Sequence, residues 1–190
     1  MSPKSIKIAL FVVLAIAQIY FPVSMIWQQE ETINNGQAFR FETAPVDPND
    51  PFRGKYITLR FTAEEFYSDQ SSTLPNAGKV FVLLGEDEEG FAKVESVQVE
   101  RPTEGQHYIS AEIWGNYEED NWVRLKFPFE RYYMEESKAY EAELAHRRSR
   151  RDSTQKTYAL VMVQEGNSAL EDVVLDGVSI KEVVEQGVKD

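Results

Sequence analysis

The chain has 190 residues, a formal net charge of −12 and no cysteine. The lack of cysteine removes disulfides, thiolate metal sites, iron–sulfur clusters and cysteine nucleophiles from consideration. The acidic balance argues against nucleic acid, whose phosphates require a basic face, and its plainest physical role is solubility.

The first predicted element is a membrane helix. Residues 8–27 carry no charge, and a helix of that length spans ~30 Å, the thickness of a bilayer's hydrocarbon layer. Lys4 and Lys7 precede the run, and Glu30 and Glu31 follow it. The positive-inside rule therefore puts the N-terminus in the cytoplasm and the chain beyond residue 29 outside. Trp27 suits the outer interface, and Gln18 would prefer a neighbouring helix to lipid. Ala15, Ile16 and Ala17 also fit a signal-peptide cleavage site. Against cleavage, the apolar run continues well past Ala17. Either reading exports the domain. Residues 1–29 are thus read as an anchor and residues 30–190 as one extracytoplasmic domain.

Beyond the anchor, apolar residues recur mostly with a period of two, the mark of strands. Strands are predicted at 36–42 (GQAFRFE), 55–61 (KYITLRF), 79–84 (KVFVLL), 91–100 (FAKVESVQVE), 107–114 (HYISAEIW), 121–127 (NWVRLKF) and 157–164 (TYALVMVQ). In 55–61, Ile57, Leu59 and Phe61 fall on one face and Tyr56, Thr58 and Arg60 on the other. Residues 85–90 (GEDEEG) and 115–120 read as hairpin loops, and Asp176 and Gly177 as a tight hairpin turn. Between 134 and 151 the pattern changes to helix formers without Gly or Pro. There Glu135, Glu136, Glu141 and Glu143 precede Arg147, Arg148, Arg150 and Arg151. That order of charge complements a helix dipole, and Glu143 with Arg147 forms an i,i+4 pair. The predicted class is mainly β: one antiparallel β-rich domain, a sandwich or a barrel, with one helix near 134–151.

The most constrained stretch is PVDPNDPFRGKYITLRF, at 45–61. Pro45, Pro48 and Pro51 keep the chain extended or turned. Asp47 and Asp50 can accept hydrogen bonds from nearby backbone N–H groups, and Gly54 eases the entry into the strand. One reading is a rigid corner between two strands. The other is a preorganised surface loop that presents Asp47, Asp50 and Arg53 to a partner.

This stretch resembles the signature of the bacterial GDYXXLXY family: Pro-Val-Asp-Pro, then Arg-Gly-Asp-Tyr, two residues, Leu, one residue, Tyr. Pro45, Val46, Asp47, Pro48, Asp50 and Arg53 match the approach, and Gly54, Tyr56 and Leu59 match the naming motif. Lys55 stands where the family has an acidic residue, which reverses a charge. Phe61 replaces the final tyrosine and loses a hydroxyl. Residues 127–143 (FPFERYYMEESKAYEAE) are similar to a second block of the family. The resemblance implies a single-pass membrane-anchored protein of no established activity, of a kind often encoded beside multi-pass membrane proteins. Asp47, Asp50, Arg53, Gly54, Tyr56 and Leu59 would form its motif and partner-binding loop.

Chemistry finds little support. His107 and His146 are the two histidines, and no nucleophile elbow, zincin, Walker or dinucleotide motif occurs. A serine–lysine dyad is the one hydrolytic option that suits an exported β-rich domain, yet no serine, Ser24 and Ser110 included, has a nucleophile's context. Glu86, Asp87, Glu88 and Glu89 are consecutive, so their carboxylates diverge rather than converge as calcium requires. The basic run at 146–151 reads as a helix terminus. Trp114, Tyr117 and Trp122 fit a sugar-stacking surface or ordinary hairpin packing equally well. The expectation is a non-enzymatic accessory or binding protein of the bacterial cytoplasmic membrane. It would have no catalytic residues, metal or other cofactor, would be held by residues 8–27, and would associate with a multi-pass membrane protein. The alternative is an exported hydrolase of serine–lysine or carboxylate type.

Overall fold

The computed structural model describes residues 3–43, 56–69, 71–103, 105–117, 119–133 and 156–187. The apolar run forms a single helix, α1 (Pro3–Asn35), continuous through Pro22. Pro22 has no N–H to give the preceding turn, and two residues on the Ser24 hydroxyl donates to the Phe21 carbonyl at 2.8 Å. Large apolar side chains along α1 are open on every side; Phe11 and Trp27 are each 71% exposed. The helix is long and apolar enough to cross a membrane, and lipid is the surrounding in which such a surface is stable.

The helix does not stop where its apolar part ends. Residues 28–35 add roughly 12 Å, and β1 (Gln37–Glu42) begins after a single intervening residue, Gly36. The Gly36 N–H donates to the Thr32 carbonyl at 2.9 Å. A Cβ at Gly36 would lie 2.4 Å from that carbonyl oxygen and 3.1 Å from the backbone N and O of Val163. Thr32 is buried, and the Gln28 amide donates to the Asn167 side chain at 2.8 Å. The helix is therefore joined to the domain by packing rather than by a flexible linker.

Among the described residues, eleven strands follow. β2 (Tyr56–Thr58), β3 (Glu65–Tyr67), β4 (Gly78–Glu86), β5 (Ala92–Gln98), β6 (Tyr108–Tyr117), β7 (Trp122–Lys126), β8 (Arg131–Tyr133), β9 (Thr157–Gln164), β10 (Asn167–Leu175) and β11 (Val178–Ser179) complete the set, with a closing helix α2 (Ile180–Gly187). They form a four-stranded sheet β1-β9-β10-β11, a five-stranded sheet β3-β7-β6-β4-β5 and the pair β2-β8. All the ladders are antiparallel. Isolated bridges join Thr43 to Phe61 and Ile109 to Gly166. The first ties the end of β1 to the segment after β2 and the second joins the two larger sheets, so the domain approaches a barrel.

That core draws on both sheets: Phe39 and Phe41 of β1, Val80 and Val82 of β4, Ile109 and Ile113 of β6, Val161 and Val163 of β9. The alternation in each strand directs one face inward, as in the fully regular buried-and-intermediate pattern of β9. The 85–90 loop is docked rather than simply solvated. Arg40 donates to the carbonyls of Gly90 at 3.0 Å and Glu89 at 2.9 Å, and Lys156 pairs with Glu89. Within the loop, one Asp87 carboxylate oxygen accepts from the N–H groups of Glu89 and Phe91.

Several expectations change in detail. Asp176 and Gly177 have φ of 51° and 82°, the left-handed pair that a two-residue hairpin needs, and they join β10 to β11. The strand at 55–61 is shorter than its alternation predicts. After Thr58 the chain leaves the ladder, and the Leu59 N–H donates to the Glu130 carbonyl at 2.7 Å. A short 3₁₀ turn, η1 (Thr62–Glu64), then starts. β3, β8 and α2 escape the sequence pattern: two are three residues long and the third follows a hairpin turn. The helix expected near 134–151 lies outside the described residues.

Candidate functional site

The family signature splits into two parts. Asp47, Asp50, Arg53 and Gly54, with Pro45, Val46, Pro48 and Lys55, lie outside the described residues. Tyr56 opens β2, paired in register with Tyr133 of β8. Leu59 is wholly buried and Phe61 is 2% exposed. Phe61 joins Phe41, Phe127 and Phe129 in a ring cluster, with centroids 5.7 Å from Phe41 and 5.3 Å from Phe129, while Phe127 and Phe129 stack at 5.3 Å. The leucine and the final aromatic of the motif are thus core residues, and the signature strand links the small β2-β8 sheet to the main core. Tyr132 of β8 completes that link by donating to Asp172 of β10 at 3.1 Å. Burial first, then the neighbouring Asp172 carboxylate, holds the Tyr132 phenol well above the usual tyrosine range.

The exposed chemistry lies on the outer face of the five-stranded sheet. Tyr67 of β3, Trp122 of β7 and Tyr117 of β6 stand abreast on three neighbouring strands. Each is between 44% and 52% exposed, and Trp114 nearby is 69% exposed. Tyr67 meets Trp122 edge-to-face at 5.7 Å. In the next row Arg124 reaches Glu65 at 3.3 Å, lies 5.4 Å from the Tyr117 ring, and Arg60 lies 6.0 Å from the Trp114 ring. A hollow of about 310 Å³ opens among Tyr117, Trp122, Arg124, Glu65 and Asp120.

This face has a rigid rim. The Asn116 amide donates to the carbonyls of Ser71 at 2.8 Å and Leu74 at 3.2 Å. The Ser71 hydroxyl bonds the Asn121 side chain at 3.0 Å, and the Ser68 N–H donates to the Asn121 carbonyl at 2.9 Å. Asn121 holds φ of 59° at the β6–β7 turn, a conformation asparagine tolerates better than most residues. Behind the rim, Glu64 sits beside Arg60 at 3.4 Å. Its carboxyl is raised above the ordinary glutamate range by burial, with Arg60 opposing that shift.

Of the aromatics singled out from the sequence, Trp114, Tyr117 and Trp122 converge here. Tyr67, Arg60, Glu65 and Arg124 were not anticipated. A signal for Arg124 was present: in NWVRLKF, Val123, Leu125 and Phe127 take the buried phase, so Trp122 and Arg124 share the solvent phase. Trp122 is thereby a large aromatic in the phase normally given to polar residues.

The model of the GDYXXLXY protein family matches residues 18–173. Neither the curated proteins nor the solved structures compared with the chain contain a match. That family match runs from inside α1 to the middle of β10 and so covers the motif, the aromatic core and the outer face together: the chain belongs to the GDYXXLXY family.

Proposed function

We propose that this protein is a non-enzymatic, single-pass accessory subunit of the bacterial envelope. Its helix anchors it in the cytoplasmic membrane with the N-terminus inside. Its β domain docks on the exported surface of a multi-pass membrane protein. One observation carries the reading: Tyr67, Trp114, Tyr117 and Trp122 stand exposed with Arg60 and Arg124 on a braced sheet, in a domain one residue away from an apolar helix. Tyr, Trp and Arg are the residues that dominate binding hot spots, and a rigid surface loses little entropy on docking. The 45–54 segment, with Asp47, Asp50 and Arg53, is the second element of the proposed interface.

Crosslinking in intact membranes, followed by capture through a C-terminal tag, tests the reading. The expected result is a multi-pass membrane protein recovered in stoichiometric amount by the native chain and lost when Trp122→Ala and Arg124→Ala are combined. Recovery of no specific partner, or equal recovery by the double variant, overturns it. Covalent labelling of a serine by an activity-based probe would return the exported hydrolase instead.

A further inference from the structure

A second concavity lies between the helix and the domain, at a height that α1 itself measures. If the hydrocarbon layer ends at Trp27, residues 28–32 cross the next ~7 Å, which is about the depth of one headgroup layer. The cleft is lined on its helix side by Met25, Gln28, Gln29 and Thr32. It therefore begins at the edge of the hydrocarbon and continues through the headgroup zone. Its volume is about 570 Å³, within the range of small-ligand sites.

The opposite wall is charged, with alternating sign. Lys79 of β4 is in register with Glu112 of β6, and Glu112 with Lys126 of β7, so a cation, an anion and a cation lie on adjacent strands ~4.8 Å apart. Glu130 follows, 3.6 Å from Lys126. All four charges line the cleft. β7 departs from β6 beyond Lys126, and the Gly166 turn takes its place against Tyr108 and Ser110. The cleft forms at that change of neighbour. Ser168 also lines it, and among the described residues its buried hydroxyl finds no hydrogen-bond partner.

We propose that this cleft binds the headgroup of a zwitterionic phospholipid of the phosphoethanolamine type. The phosphate takes the lysines, and the primary ammonium takes the glutamates. Two lysines and two glutamates balance, so an anionic headgroup would meet uncompensated carboxylates. A choline headgroup has no N–H to donate to them. Acyl chains leaving the cleft run down α1 past Met25. The proposal rests on α1 lying across the bilayer, and it adds a lipid to the anchor's surroundings independently of any protein partner.

The test uses the full chain in nanodiscs containing equal parts phosphatidylethanolamine, phosphatidylcholine and phosphatidylglycerol, with the lipids retained on release counted by native mass spectrometry. Phosphatidylethanolamine is expected to be enriched about tenfold over each of the others, the equivalent of one good charge-assisted contact. The enrichment should vanish in a Glu112→Gln, Lys126→Ala double variant that keeps the native thermal melt. Equal retention of the three lipids by the native chain overturns the proposal, whatever the variant does, and so does unchanged enrichment in a folded variant. Resistance of the chain to alkaline carbonate extraction is measured in parallel. A chain that washes off removes the anchor and this proposal together, whereas one that stays inserted without lipid preference removes this proposal alone.

Discussion

The motif segment and the outer face of the β3-β7-β6 sheet both concentrate aromatic side chains, with opposite exposure. Phe61 and its neighbours Phe41, Phe127 and Phe129 are at most 4% exposed, whereas Tyr67, Trp114, Tyr117 and Trp122 are 44–69% exposed. A buried ring contributes through apolar area and edge or stacked contacts; an exposed one contributes nothing comparable until something covers it. The stretch that identifies the family is, in its described half, a packing device. The exposed aromatics of the outer face lie on β3, β6 and β7, outside the signature stretch. A sequence signature can thus mark what a fold requires.

The comparison breaks most readily at Phe61. Phe61→Ala removes a ring from a cluster of four and leaves a cavity that the surrounding rings cannot fill. The expected loss is about 3–5 kcal/mol, read as a large drop in thermal midpoint or complete unfolding in detergent. A loss below about 1 kcal/mol would be typical of a surface site and would move the motif out of the core. Gly36 sharpens the same contrast, because the outer face keeps a fixed height above the membrane only if the junction is stiff. Gly36→Ala forces a methyl against the Thr32 carbonyl and the Val163 backbone. The expected cost is about 1–3 kcal/mol, with increased protease cleavage between residues 32 and 40. An unchanged melt and cleavage pattern would show that helix and domain are loosely coupled.

Much of the architecture was legible in the sequence because it rests on local rules. β1, β4, β5, β6, β7 and β9 follow from alternation, the β10–β11 turn from Asp176-Gly177, and α1 from an uncharged run of sufficient length. Elements too short to repeat the pattern were not legible: three-residue β3 and β8 carry too little alternation to read and form because partners already stand beside them. The aromatic face was half legible. Trp114, Tyr117 and Trp122 were singled out, but their exposure depends on which phase of each strand meets the core. The cleft beside α1 was illegible in principle, since Lys79, Glu112, Lys126 and Glu130 are brought together only by strand register.

Tyr132 tests the seam between the motif sheet and the rest. Tyr132→Phe keeps the ring but removes the bond to Asp172, which retains the Val173 N–H at 2.8 Å. The expected cost near neutral pH is about 1 kcal/mol. The phenol is harder to ionise folded than unfolded, so its contribution is fully present below the unfolded value of about 10 and is lost as the pH rises beyond it. Stability of the native chain should therefore fall more steeply above that pH than stability of the variant. Parallel curves for the two would show that Tyr132 gains nothing from its position.

The smallest expected effect on stability falls where the largest effect on recognition is expected. Trp122→Ala deletes a side chain that is 44% exposed and whose ring meets that of Tyr67, itself 52% exposed. A surface change of this kind costs about 0.5 kcal/mol or less, so the thermal midpoint should stay close to native. Partner capture from membranes should nonetheless fall at least tenfold, as truncating a central aromatic anchor costs about 2 kcal/mol or more of binding. Phe61→Ala cannot mimic that pair of results, because it lowers capture only by removing folded protein. A Trp122→Ala chain that melts early would place Trp122 with the packing aromatics and erase the distinction between the two regions. One that melts normally and captures normally would leave the exposed face without a function and turn attention to residues 45–54, where Arg53→Ala is the corresponding change.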